Sequence, residues 1–143
     1  MNKINIIVQL SGFVDRNLII EKDRGSLFVV EESKLPFKLS RFYIIYDVPN
    51  SDVLRGGHAH KITDQVLFVI KGSCLLHLDD GKVDQKFLLT SKDCGIRLKP
   101  MLWHAMSDIS HDCLIIVATS QEYNESDYIR NYEEFKQKVE GTI

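Results

Sequence analysis

Reactive side chains crowd together in one stretch of the chain, Arg55-Gly56-Gly57-His58-Ala59-His60-Lys61. On a strand, alternate residues share a face, so His58 and His60 point into the same space. Two imidazoles on one wall can pass a proton near neutral pH or hold a metal ion. Gly56 and Gly57 let the backbone turn tightly or approach a ligand closely, and Arg55 adds a planar, permanent cation suited to phosphate or carboxylate. A plainer structure fits the same residues: a hairpin carrying two half-exposed histidines. The short HxH pattern alone does not choose between the two.

The elements that must position these residues are short. Runs rich in Ile, Val, Leu, Phe and Tyr recur with Gly, Asp, Asn or Ser between them, the texture of an all-β sandwich or barrel. The expected strands are 4–10, 26–31, 42–48, 58–60, 65–70, 73–78, 86–90, 95–98 and 113–120. Lys71-Gly72 and Asp79-Asp80-Gly81 are turn signals that make 65–90 a meander. At 95–99, Ile96 and Leu98 face one side and Arg97 and Lys99 the other, so one side is core. Pro100 ends that strand, which leaves Trp103 and His104 in the loop or at the start of the next. Near the C-terminus the period changes. Tyr128, Tyr132, Phe135 and Val139 recur at helical spacing after a cap at Asn124 or Ser126, predicting one amphipathic helix whose tyrosines pack on the sandwich.

A chain of 143 residues suits a single domain, here 1–143, with a substantial core. It is 44% hydrophobic and 27% charged, with a formal charge of -2, which argues against a nucleic-acid or membrane-surface binder. The first ten residues lack a cleavable signal pattern, so a cytosolic (cytoplasmic) protein is expected. Cys74, Cys94 and Cys113 are odd in number and lie in or beside apolar runs, which predicts packed, reduced thiols. His77 and His111 are read as structural or solvated.

The order HxH, Gln65, Gly72 and, behind Pro100, His104 resembles the two motifs of the cupin superfamily, which implies a jelly roll with its histidines on the inner wall. Metal-binding cupins usually carry glutamate at the Gln65 position and a glycine between the second-motif proline and histidine. Here the amide replaces the carboxylate, the glycine is absent and the spacing is one residue shorter. Because a neutral amide is the poorer ligand for a divalent ion, the expectation is a pocket without metal.

Over nearly the whole chain, a longer set of motifs is similar to the nucleotide-linked 4-keto-6-deoxyhexose 3,4-ketoisomerases, the WxcM-like or FdtA-like cupins. The motifs are Arg24-Gly25-Ser26-Leu27, Leu35-Pro36-Phe37, Tyr46-Asp47-Val48-Pro49, Arg55 to Lys61, Pro100-Met101-Leu102-Trp103-His104 and Tyr123 to Arg130. The resemblance implies a cupin jelly roll with one C-terminal helix, a homodimer, and an isomerase that needs no metal or redox cofactor. Its substrate would be a TDP-linked 4-keto-6-deoxyhexose, and its product would feed deoxyaminosugar and surface-polysaccharide synthesis. It also implies His60 as base, His58 as partner acid or shuttle, Tyr46 as hydroxyl donor and Arg55 as diphosphate anchor. Gln65 either bonds the sugar or satisfies a neighbour, and Trp103 either stacks on ligand or fills the barrel mouth. Arg24 and His104 occupy positions where the family varies, and this pair resembles the branch giving a galacto product, TDP-3-keto-6-deoxy-D-galactose. Three other activities fit a cupin with these residues: a 3,5-epimerase of the same sugar, a non-catalytic nucleotide-sugar binder and a metal-dependent oxygenase.

Overall fold

A computed structural model describes residues 4–141. Its strands are β1 Ser11–Val14, β2 Asn17–Glu21, β3 Gly25–Val29, β4 Arg41–Ile45, β5 Arg55–His60 and β6 Gln65–Lys71, followed by β7 Ser73–Asp79, β8 Asp84–Thr90, β9 Gly95–Leu98, β10 Trp103–Ser107, β11 Leu114–Thr119 and β12 Tyr128–Ile129. One helix, α1 Tyr132–Glu140, closes the described chain. Two five-stranded antiparallel sheets form, in the orders β1-β9-β6-β11-β4 and β12-β5-β10-β7-β8, with β2-β3 as a separate hairpin. This is a double-sheet sandwich, one of the two all-β architectures the strand pattern predicts.

Inner-facing residues of the two sheets make one core. Leu67, Ile96, Leu98, Ile115 and Val117 from the first sheet meet Cys74, Leu76, Leu78 and Met106 from the second. Strand β6 departs from simple alternation, being buried from Gln65 through Val69. A strand covered on both faces reads as a continuous apolar run. The β2-β3 hairpin contributes to the outer cover by setting Phe28 edge-on to Phe68 at 5.0 Å. Cys74 and Cys113 are free, buried thiols, as expected.

Two expectations shift, and strand β2 was not expected. Residues 4–10 form no strand; their backbone is anchored to the β7-β8 corner, Ile7 N donating to Gln85 Oε1 at 2.9 Å and Gln9 N to Asp80 Oδ2 at 2.7 Å. Strand β2 had no clear alternation to announce it. Trp103 and His104 start the next strand, one of the two places expected for them, and that strand, β10, pairs with both β5 and β7. The helix begins later than its aromatic spacing implies: Asn131 Oδ1 accepts from Glu134 N at 2.9 Å and starts α1, whereas Asn124 caps only a single 3-10 turn, Glu125–Asp127. Tyr128 therefore belongs to β12, where it pairs with His60 of β5.

Candidate active site

Strand β5 positions the histidines. Gly56 and Gly57 both have positive φ, 77° and 78°, the conformation glycine adopts without strain. On β10 the partners of His58 and Gly56 are the adjacent residues His104 and Ala105, so Gly57 is the extra residue of a bulge. The bulge brings His58 directly across from His104, with ring centroids 4.8 Å apart. His60, two residues along the same face, lies 5.0 Å from His58 and stacks parallel to His104 at 6.0 Å. From the other side, β12 delivers Tyr128, whose ring is 4.8 Å from His58 and 4.4 Å from His60.

These rings stand at one end of a cavity of about 370 Å³ between the sheets. Leu67, Leu98 and Val117 give it an apolar floor, His58, His104 and Tyr128 a polar wall, and Arg41, Arg55 and Arg130 contribute three cations. His60 sits one layer behind that wall, 3% exposed. Its Nδ1 lies 3.0 Å from Asp127 Oδ2, and its Nε2 has no hydrogen-bond partner among the described residues. An ionised carboxylate only accepts, so Nδ1 carries the proton and Nε2 the lone pair. The same reasoning applies to His104, whose Nδ1 is 3.1 Å from the Leu102 carbonyl.

Burial sets the charge state. It pushes His104 down to about 3, with His58 and His60 adding to the effect, and His58 down to about 4, with His60 and then Arg130 adding to it. Burial also lowers His60, but the Asp127 carboxylate works against it. All three rings are thus neutral near pH 7, the state in which an imidazole accepts a proton. One ring nitrogen from each lies within 4.8 Å of the others, a spacing at which three imidazoles can also take a divalent ion. Gln65, 1% exposed, lines the cavity and offers no carboxylate to such an ion.

Of the residues picked from sequence, His58, Arg55, Gln65 and His104 line the cavity, with His60 directly behind. Three do not. Tyr46, expected to donate a hydroxyl there, is 62% exposed beyond the end of β4 and does not line the cavity; with Asp47, Pro49 and Val53 it lines an adjoining cleft that shares Ile45 and Arg55 with it. Arg24 stands beyond the end of β2, its side chain 82% exposed and paired with Glu21 at 3.2 Å. Trp103 lies in a second apolar cluster with Phe135 of α1, on the face of β10 opposite His104, so it fills structure rather than stacking on ligand.

Sequence reasoning missed Tyr43, Tyr128, Arg41, Arg130 and Asp127. On β4, Arg41, Tyr43 and Ile45 face inward while Phe42 and Ile44 face out. Both faces carry apolar or aromatic residues, so alternation alone did not say which tyrosine points inward. Tyr43 accepts a long bond from Gln65 Nε2, 3.5 Å, which leaves its own proton free to donate into the cavity. Burial, then the nearby Tyr128, raises its pKa to about 12, so it is a neutral donor across the physiological range.

An antiparallel double sheet with a neutral imidazole cluster beside a cation-edged cleft is an arrangement that can exchange protons and attract an anion. Residues 9–140 match the family described as FdtA: WxcM-like, C-terminal. A TDP-4-oxo-6-deoxy-alpha-D-glucose-3,4-oxoisomerase from Aneurinibacillus thermoaerophilus is 44% identical over 117 residues, 81% of this chain and 84% of the relative. The solved 3,4-ketoisomerase from Helicobacter canadensis is 35% identical, with TM-score 0.83 over 91% of this chain and 97% of that one. QdtA, a sugar 3,4-ketoisomerase from Thermoanaerobacterium thermosaccharolyticum solved in complex with TDP, is 29% identical, with TM-score 0.88 over 96% and 99%. The rmlC epimerase of Mycobacterium tuberculosis, at 16% identity and TM-score 0.69, shares the fold alone. The chain belongs to the FdtA, WxcM-like family of sugar ketoisomerases and is an isomerase.

Proposed function

We propose that this isomerase moves the ketone of a TDP-linked 4-keto-6-deoxyhexose from C4 to C3 without a metal or redox cofactor. The carrying observation is the neutral His58–His60–His104 cluster beside two phenols and three cavity arginines. A C3 proton next to a C4 ketone is acidic because its loss gives an enediolate, so a base at C3 and a donor at O4 must act together. The steps balance within the sugar: C3 and O3 each lose a proton, C4 and O4 each gain one, and no electrons leave. Of the three imidazoles, His60 has the carboxylate that favours taking up a proton, and we assign it as base. His58, between it and the cavity, shuttles the proton, and Tyr43 takes the donor role first sought in Tyr46. Arg55, with Arg41 and Arg130, meets the diphosphate, where planar guanidiniums match phosphate oxygens.

The galacto product, TDP-3-keto-6-deoxy-D-galactose, is the reading that the resemblance of the Arg24 and His104 pair favours, and of the two only His104 lines the cavity. A ketone newly placed at C3 is the group an aminotransferase needs, which fits a role before amination of a deoxysugar. The exposed apolar residues on the outer face of the first sheet and on the β2-β3 hairpin suit a homodimer.

Chelator-treated protein is incubated with TDP-4-keto-6-deoxyglucose in deuterated water. Carbon NMR is expected to show the carbonyl moved to C3, with deuterium confined to C3 and C4. Deuterium at C5 identifies a 3,5-epimerase instead, and an unchanged ketone with retained TDP affinity identifies a binding module. Activity that returns only on adding a divalent ion overturns the metal-free mechanism.

A further inference from the structure

We propose that Asp127, held by Thr63, is a positioning residue that fixes which nitrogen of His60 bears the lone pair. The inference rests on the isomerase reading above for its kinetic consequence and on geometry alone for its structural one. Asp127 is buried, and its carboxylate is fully engaged. Ile62 N donates to Oδ1 at 2.7 Å; Thr63 N, at 3.3 Å, and the Thr63 hydroxyl both donate to Oδ2, which also faces His60 Nδ1. Burial works to raise the carboxyl's pKa, but the bonds from Thr63, Ile62 and His60 outweigh it and keep it ionised.

The chain backbone explains the rigidity. Lys61 N donates to the Asp127 carbonyl at 2.9 Å, and Asp127 N to Asn124 O at 3.0 Å, so the 3-10 turn and the end of β5 hold the carboxylate from both sides. An acceptor fixed in this way forces the proton of neutral His60 onto Nδ1 and leaves Nε2 as the basic atom. Oδ2 already takes two protein donors besides the imidazole, so an amide in its place would set an N–H against a donor or invert the histidine tautomer. Asp127 need not touch the sugar to govern the chemistry, because it acts through His60.

The test is Asp127→Asn in the full chain, with two readouts. Nitrogen-15 NMR of the histidines is expected to show His60 protonated at Nδ1 in the native protein and at Nε2 in the variant. This readout is independent of substrate, so it separates failure of this inference from failure of the assigned activity. In the kinetic assay kcat is expected to fall about 100-fold or more, the scale of a lost general base, while KM and TDP affinity stay within about threefold. Thr63→Val keeps the carboxylate and the tautomer and is expected to cost about tenfold, with Thr63→Ser recovering most of that loss. Native His60 protonated at Nε2 overturns the inference. So does a variant that keeps its kcat, or one whose kcat falls only in step with its melting temperature and TDP affinity, which marks Asp127 as merely structural.

Discussion

At the scale of single residues, what distinguishes this site is that its imidazoles are held neutral by burial and by one another. An unperturbed histidine changes charge at 6.5, whereas His58 is shifted to about 4 and His104 to about 3. Two consequences follow, with the same sign. A neutral base is active above its own pKa, and burial lowers His60 from the usual histidine value against the pull of Asp127, so the acid limb of kcat/KM is expected below 6.5. An acid limb centred at 6.5 in a pH–rate profile would show instead that the catalytic ring is solvated. For stability, the unfolded chain takes up protons below 6.5 while the folded site refuses them until near 4. Stability is therefore unaffected by these groups above 6.5 and declines as pH falls through that window, which melting curves from pH 7 to 4.5 will register.

At the scale of elements, the bulge at the start of β5 is the device that aims the site. Gly56 and Gly57 share nearly the same φ, but their surroundings differ. A Cβ on Gly56 would lie 3.0 Å from the backbone oxygen of His104, whereas one on Gly57 would meet a side-chain methyl of Leu54 at 3.3 Å. Alanine at either position takes on the backbone penalty of about 1–2 kcal/mol. Only Gly56→Ala also pushes on the strand carrying His104. It is expected to lose more stability than Gly57→Ala and to lose kcat as well, a difference that paired denaturation and rate measurements will show. The same scale explains which elements were legible in the sequence. Strand β9 was, because Ile96 and Leu98 alternate with Arg97, which pairs with Asp64 at 2.6 Å outside the core. Strand β12 was not, since two residues carry no period and Tyr128 sits one helical turn before Tyr132.

At the scale of the whole molecule, β4 is an edge strand, and its outward Phe42 and Ile44 are exposed, as are Phe13 of β1 and Ile19, Ile20 and Leu27 of the hairpin. So many exposed apolar side chains suit a covering surface, and a second copy of this chain is the proposed partner. Sedimentation is expected to give about twice the chain mass of 16.5 kDa, and Phe42→Asp to shift it toward the monomer; a wild-type monomer at micromolar concentration would remove that part of the proposal. The sequence by itself determined that His58 and His60 share a face, that glycines free the backbone before them, and that the chain is a cupin of the ketoisomerase type, since period-2 patterning and ordered motifs are local properties. Tertiary structure alone decided that Tyr43 rather than Tyr46 looks inward, that Trp103 turns away from the site while His104 enters it, and that Asp127, 67 residues from His60, backs its ring. Those outcomes depend on which strands lie side by side and in what register, and on which of two apolar-looking faces the other sheet covers, and neither is written in the spacing of any one segment.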